Sequence, residues 1–197
     1  GGYPVSADVF GYYEVDDHFQ CFIGETDPSM SAHVRLLLAL QDIPDDHPHK
    51  GRWIEKVVEK LVQEDGNGTF WTDKWHASPY YVNSTALRAL HGLADNLART
   101  RLRWIMRTQN PDGGWGYYDR STPEETAYCL EALTFWHQEI ERIPQEMIQQ
   151  AMVYLQQHID DEQYAPLWIG KSLYTPFYPV RSAIVGALYG AMQLEWT

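Results

Sequence analysis

The chain has 197 residues, 44% hydrophobic and 21% charged, which suits one folded domain and argues against intrinsic disorder. Fifteen Lys and Arg stand against 27 Asp and Glu, a net charge of −12, so the basic field that grips nucleic acid is missing. Two cysteines make no disulfide framework and point to a reducing compartment, and no apolar stretch reaches the length of a membrane span, so a cytoplasmic protein without a signal peptide is expected.

From the N-terminus, helices are predicted wherever a capping residue meets proline ahead of an apolar face at helical spacing. Asp27-Pro28 precedes Met30, Val34, Leu37, Leu38 and Leu40. His47-Pro48 precedes Trp53-Ile54, Val57-Val58 and Leu61-Val62. Ser78-Pro79 opens a helix to about Leu93, and a further one runs from about Leu97 to Gln109. Thr122-Pro123-Glu124-Glu125 reads as a capping box, with Thr122 accepting from the Glu125 backbone and the Glu125 carboxylate reaching back to Thr122. Ile143-Pro144 opens Met147 to about His158, and a last helix spans about Pro179 to Gln193. Convincing strand alternation is absent, so the predicted class is all-α.

The chain also repeats itself. Gln63, Gly66 and Trp71 lead to Thr85-Ala86. Gln109, Gly113 and Trp115 lead to Thr126-Ala127. Gln157 and Trp168 lead to Ser182-Ala183. Repeated helix pairs cannot bury their apolar faces alone and must stack or close into a ring. The composition is unusual in its 8 Trp and 13 Tyr, large apolar side chains with a polar handle. Such a load is expected to line a cavity or to pin helices together.

Gln109-Asn110-Pro111-Asp112-Gly113-Gly114-Trp115-Gly116 follows the pattern Q-x-x-x-G-x-W. The glutamine can bond backbone groups left open at a helix end, and the glycines supply the turn that brings the ring back. This stretch resembles the QW motif of triterpene and related terpene cyclases, which implies an α/α-toroid fold. Tyr3 to Phe10 with Phe19-Gln20-Cys21-Phe22-Ile23-Gly24-Glu25-Thr26 resembles the segment after the acidic motif of class II diterpene cyclases. Phe70 to Tyr81 resembles the D-K-W-H-x-S-x-Y-Y stretch of their bacterial members, and Trp168 to Tyr174 resembles W-I-G-K-x-L-Y. The whole chain, residues 1–197, is thus similar to the C-terminal part of the toroid of copalyl- and halimadienyl-diphosphate-synthase-like cyclases.

The resemblance implies protonation of the terminal alkene of geranylgeranyl diphosphate, or a related prenyl diphosphate, with the diphosphate retained and Mg2+ helping to bind it. Cations along the path are stabilised by aromatic faces. The family's general acid is the middle Asp of D-x-D-D, a few helical turns before the stretch at which this chain starts. The start at Gly1, without Met, is therefore expected to be cut or processed, with the acid and the rest of the cyclase upstream. Glu14-Val15-Asp16-Asp17 imitates that motif but matches the family's ordinary F-E-x-D-G turn.

The resemblance assigns Lys74 to the diphosphate and implies a cavity lined by Trp75, Tyr81, Trp71, Trp168 and Tyr174, with His76 and Lys171 as weaker partners. Tyr80, Tyr117 and Tyr118 are further lining candidates, Trp115 is expected to be structural, and Asp73 to orient Lys74 or cap its loop. Arg35 or His33 is expected to tune the acid, because plant and fungal members carry an Asn at about Arg35. Pro166 stands where plant enzymes have Asp, so their polar network does not carry over. Cys129 and Glu125 share a helical face, yet no fitting His completes a zinc set, and no metal ligands are assigned. Two rivals stay open: a helical-barrel glycoside hydrolase with two facing carboxylates, and a non-catalytic toroid that serves as a binding module.

Overall fold

The computed structural model describes residues 7–66 and 68–196; Gly2 to Ser6 of the first family-like stretch lie outside them. A 3-10 turn, Ala7–Tyr13, leads into seven α-helices: α1 Met30–Asp42, α2 Lys50–Gln63, α3 Pro79–Leu90, α4 Asp95–Arg107, α5 Pro123–Glu139, α6 Gln145–Gln157 and α7 Phe177–Met192. The class is all-α, with one departure. The W-I-G-K-S-L-Y stretch forms a short antiparallel hairpin, β1 Trp168–Ile169 and β2 Leu173–Tyr174, pairing Trp168 with Tyr174 and Ile169 with Leu173. Two-residue strands leave too short an alternation to register in the sequence.

Packing sorts the helices into two layers. Helices α1, α3, α5 and α7 form an inner row, each against the next, while α2, α4 and α6 pack outside α1, α3 and α5 respectively. This is the helix-pair stacking that the repeats require. Helix α5 sits in the middle of the row and is buried nearly all round, including Thr126, Ala127, Leu130, Leu133 and Trp136. Its small residues let neighbouring backbones approach.

Proline sits at the first helical position only in α3 and α5, where Ser78 and Thr122 accept from the backbone of Tyr80 and Glu125. Elsewhere the expected starts shift. Ser29 caps α1 two residues after Asp27, α2 begins without a side-chain cap, and Pro144 is itself the capping residue of α6. The expected contacts between Thr122 and Glu125 are both present. The Thr122 Oγ1 accepts from Glu125 N at 3.2 Å and donates to Glu125 Oε2 at 2.8 Å, while Glu125 Oε1 takes the Tyr117 N–H at 2.9 Å. The Thr122 N–H is already engaged by the Trp115 carbonyl, so the carboxylate meets the hydroxyl and the loop.

The repeats have a physical basis in two of their three copies. The Trp71 indole donates to the Leu61 carbonyl at 3.2 Å, and the Trp115 indole to the Ile105 carbonyl at 2.8 Å, each ten residues back in the last turns of α2 and α4. Their backbone N–H groups are held by side chains of the next inner helix, Asn83 and Thr126. Each tryptophan thus satisfies a carbonyl at a helix C-terminus and ties outer to inner layer. Gln109 bridges the Gly113 and Met147 carbonyls at 2.9 Å each, fastening the loop to the first turn of α6. Trp168, the third copy, does neither.

Glu14-Val15-Asp16-Asp17 lies in a turn closed by the pairing of Glu14 with Phe19. Glu14 meets Arg52, the Lys56 ammonium at 2.7 Å and the Trp53 indole at 2.8 Å, and Asp17 meets His18 and Lys60. Hydrogen bonding to Arg52, chiefly, carries the Glu14 carboxyl from 4.5 to about 2. A proton donor needs the opposite shift, so these acids serve the fold. A pKa below the unfolded value contributes stability above pH 4.5 that disappears as pH falls towards 2. Glu14→Gln is therefore expected to cost about 1–2 kcal/mol at pH 7, allowing for solvent screening of Arg52, and nothing at pH 2. Urea unfolding of both proteins at the two pH values checks this.

Candidate active-site wall

Residues 71–78 cross the end of the inner row and carry two groups of expected site residues. The first gathers at the start of α1. Asp73 accepts from Ser29 Oγ, from the backbone and hydroxyl of Ser31, and from Trp75 N, all within 3.1 Å. It caps α1 and closes its own turn, one of the two tasks expected of it. Lys74 Nζ lies 2.6 Å from Glu25 Oε1 and donates to the Asp27 carbonyl. Burial of Glu25 works to raise its carboxyl pKa, but Lys74 and the Cys21 N–H outweigh that, and the net shift is downward. The ammonium is thus held in place by a buried carboxylate and is still partly open to solvent. Trp75 is 37% exposed, with Phe22 against its edge and Lys74 Nζ 5.7 Å from its centre.

The second group is aromatic, with His76 and Tyr81 buried and Tyr128 and Trp168 half-buried. His76 stacks on Tyr81, with centroids 4.6 Å apart and planes at 17°, and meets Tyr128 and Trp168 at steeper angles. The hairpin docks here: Ala77 N–H donates to the Leu167 carbonyl and Ile169 N–H to the Trp75 carbonyl. At the centre is Glu124, 0% exposed. Its Oε1 accepts from Trp168 Nε1 at 2.7 Å and Tyr128 Oη at 2.8 Å, with His76 Nε2 at 3.3 Å. Arg35 donates to Tyr81 Oη at 3.2 Å and lies 5.0 Å over its ring. The cluster fixes one carboxylate among four ring systems, and a guanidinium caps it.

Above these rings a cavity of about 290 Å3 opens between α1, α3 and α5. Arg35, Arg88, Ser84, Tyr128, Glu131 and Phe135 are among its lining residues. Within that lining Glu131 is the single carboxylate among the described residues.

The structure separates the remaining expected residues. His33 is fully buried, with Nδ1 2.7 Å from the Ser29 carbonyl and Nε2 accepting from Phe19 N, so both ring nitrogens are used. Burial pushes its pKa down and keeps the ring neutral. Arg35 faces the cavity and His33 does not. Trp71 is enclosed under Arg101, whose guanidinium lies 3.5 Å over the ring and pairs with Asp65. Tyr80 stacks on Trp104 of the outer layer. Lys171 stands in the exposed turn of the hairpin, and Tyr174, half exposed, lies over Gly170. The Cys129 thiol is buried against Ser84, while Glu125 is committed to Thr122 and Tyr117.

Glu124, Tyr128 and Arg88 were missed in the sequence. A glutamate beside a capping glutamate reads as first-turn charge, and a tyrosine four residues on reads as core. The i, i+4 spacing of Glu124 and Tyr128 was the one available signal. No three Asp, Glu, His or Cys side chains converge as a metal set among the described residues.

The model of the squalene-hopene cyclase C-terminal domain matches residues 15–134. A type B diterpene cyclase of Mycobacterium tuberculosis is 38% identical over 178 residues, covering 89% of this chain and 35% of the relative. An ent-copalyl diphosphate synthase of a Streptomyces species is 36% identical over 200 residues, covering 98% and 39%. The solved structure of ent-copalyl diphosphate synthase from Streptomyces platensis superposes with a TM-score of 0.80 at 30% identity, covering 94% of this chain and 37% of that one. The chain thus spans well under half the length of each of these relatives.

Proposed function

The chain belongs to the squalene-hopene cyclase C-terminal domain family and is class II diterpene cyclase-like, and from that premise we propose that it forms one wall of a cyclase cavity. The substrate of this reading is a prenyl diphosphate, with geranylgeranyl diphosphate first. The reaction is protonation of its terminal alkene, ring closure and loss of a proton, with the diphosphate retained. The supporting observation is the buried Glu124 held by His76, Tyr128 and Trp168, with Tyr81 stacked on His76, at the edge of the cavity between the inner helices.

In this reading Tyr81, Tyr128 and Trp168 offer π-faces to the migrating cation, each contributing about 0.5–2 kcal/mol. The alkene proton comes from a carboxylic acid on a segment upstream of this chain. Arg35, with its guanidinium at the cavity, is the residue that would meet that acid, in preference to His33. Two arginines in the wall of an acidic protein suit such a carboxylate partner. Lys74 and Trp75 receive the diphosphate in this reading, with Lys171 and Tyr174 on the neighbouring hairpin. Mg2+ is written here as part of the substrate, riding on the diphosphate. The remaining cyclase would cover α7, whose outer stripe leaves Tyr178 80% and Tyr189 67% exposed. A cytoplasmic location follows from cysteine usage.

The test is turnover of geranylgeranyl diphosphate by the longest natural polypeptide that carries this chain. A bicyclic diphosphate is the expected product. Because Lys74→Ala also strips Glu25 of its counter-ion, the informative variant is Lys74→Gln with Glu25→Gln. Its KM is expected to rise about tenfold with kcat within about twofold, the mark of lost uniform binding. Absence of any prenyl diphosphate turnover in that polypeptide would instead favour a toroid that binds without catalysis.

A further inference from the structure

A cyclisation begun by one proton ends by losing one, so the last cation needs an acceptor on the cavity wall. Tyr128 is placed for this. It lines the cavity between α1, α3 and α5, and its hydroxyl donates to Glu124 Oε1 at 2.8 Å. Its own proton points away towards the glutamate, which leaves the phenol oxygen as an acceptor on its other side. Glu124 lies one helical turn below, wholly buried, and its second oxygen, Oε2, has no hydrogen-bond partner. Leaving a buried carboxylate oxygen unpaired costs stability, and the three partners on Oε1 only partly offset burying the group.

Burial first, and the Glu124 charge second, push the Tyr128 phenol well above its ordinary pKa. A phenol so placed is protonated at rest. It can take a proton only if its own leaves at the same moment, and Glu124 is the group that holds that proton.

Resting on the cyclase reading above, we propose that Tyr128 is the catalytic residue that accepts the terminating proton and that Glu124 is the positioning residue that stores it. The C–H bond beside the cation breaks, and its electron pair becomes the double bond of the product. The proton bonds to Tyr128 Oη as the phenol's original proton passes to Glu124 Oε1. One carbocation and one carboxylate are neutralised together, and no further reactant is needed. Trp168 and His76 hold Glu124 in register through the step, and the stored proton returns to water once product leaves.

Tyr128→Phe and Glu124→Gln, made in the intact cyclising polypeptide, test this through product identity. Total turnover is expected to fall in both. The ratio of the native alkene to water-quenched alcohol or rearranged alkene is expected to fall at least about tenfold, because an unquenched cation is captured by water or shifts to another exit. Glu124→Gln keeps side-chain volume and an acceptor oxygen, so it reports even where Tyr128→Phe folds poorly. Reduced turnover with an unaltered product ratio in Glu124→Gln would mean a structural role and overturn the assignment. Inactivity of the wild-type polypeptide would remove the cyclase reading itself, a different outcome from active enzyme with indifferent variants.

Discussion

Trp115→Ala is expected to lower the stability of this protein by about 3–5 kcal/mol, the range for truncating a fully buried tryptophan. The side chain is 0% exposed and belongs to the main core. Its indole N–H satisfies the Ile105 carbonyl in the last turn of α4, and its backbone N–H is taken by Thr126 of α5. Removal therefore leaves a cavity and loosens the tie between α4 and α5. For a chain of this size the melting temperature should drop by about 10 °C. Trp115→Phe is the milder variant, since it keeps a phenyl ring and loses the bond, worth about 1 kcal/mol, with a smaller void. Thermal denaturation followed by circular dichroism reads both. A loss below about 1 kcal/mol for Trp115→Ala would show that the QW loop does not pin the layers.

The second large effect is expected at Gly116. An alanine Cβ there would fall 1.8 Å from the Arg120 carbonyl oxygen and 2.5 Å from its carbon. Both are backbone atoms, so no rotamer change relieves the clash, and the loop from Trp115 to Thr122 must open. Opening it breaks the Thr122 N–H bond to the Trp115 carbonyl at 2.9 Å, at the mouth of α5. That is the helix that carries Glu124 and Tyr128. Gly116→Ala is expected to cost about 3 kcal/mol or more, at the large end for a single methyl. Gly51 in α2 is the control, with nothing within 4 Å of the added carbon. Gly51→Ala should stabilise slightly, by up to about 1 kcal/mol, through helix propensity. Equal melting temperatures for the two variants would contradict the loop geometry.

The helical content and the two-layer logic were readable because period-3.6 apolar faces and Trp-bearing loops recur along the chain. Boundaries slipped by a few residues. The last helix starts at Phe177 instead of Pro179, because Pro176 caps it, and α3 stops at Leu90 instead of Leu93. The W-I-G-K stretch was legible as a motif and illegible as a hairpin. Its pairing is short, and its position is set by bonds from the chain at Trp75 and Ala77, some ninety residues earlier.

The candidate site divides the same way. Lys74, Trp75, His76 and Tyr81 share one stretch of sequence, so their kinship was visible. Glu124 was not, because it sits beside Glu125 and both occupy the first turn of a capped helix. Only the packing shows that Glu125, buried as well, meets Thr122 and Tyr117 while Glu124 meets His76, Tyr128 and Trp168. His33 and Arg35 were equivalent candidates two residues apart. One helical step of two residues turns a side chain through more than half a circle, which sends His33 into the core and Arg35 to the cavity.

By itself, then, the sequence determined the all-α class, the repeated Trp pins and the family resemblance, because each rests on residues close together in the chain. Which carboxylate meets the aromatic rings, which rings share it and which cations face the cavity were decided by tertiary structure alone. Those properties depend on partners 44 to 48 residues apart, such as Trp168 and His76 meeting at Glu124, and local spacing carries no record of them.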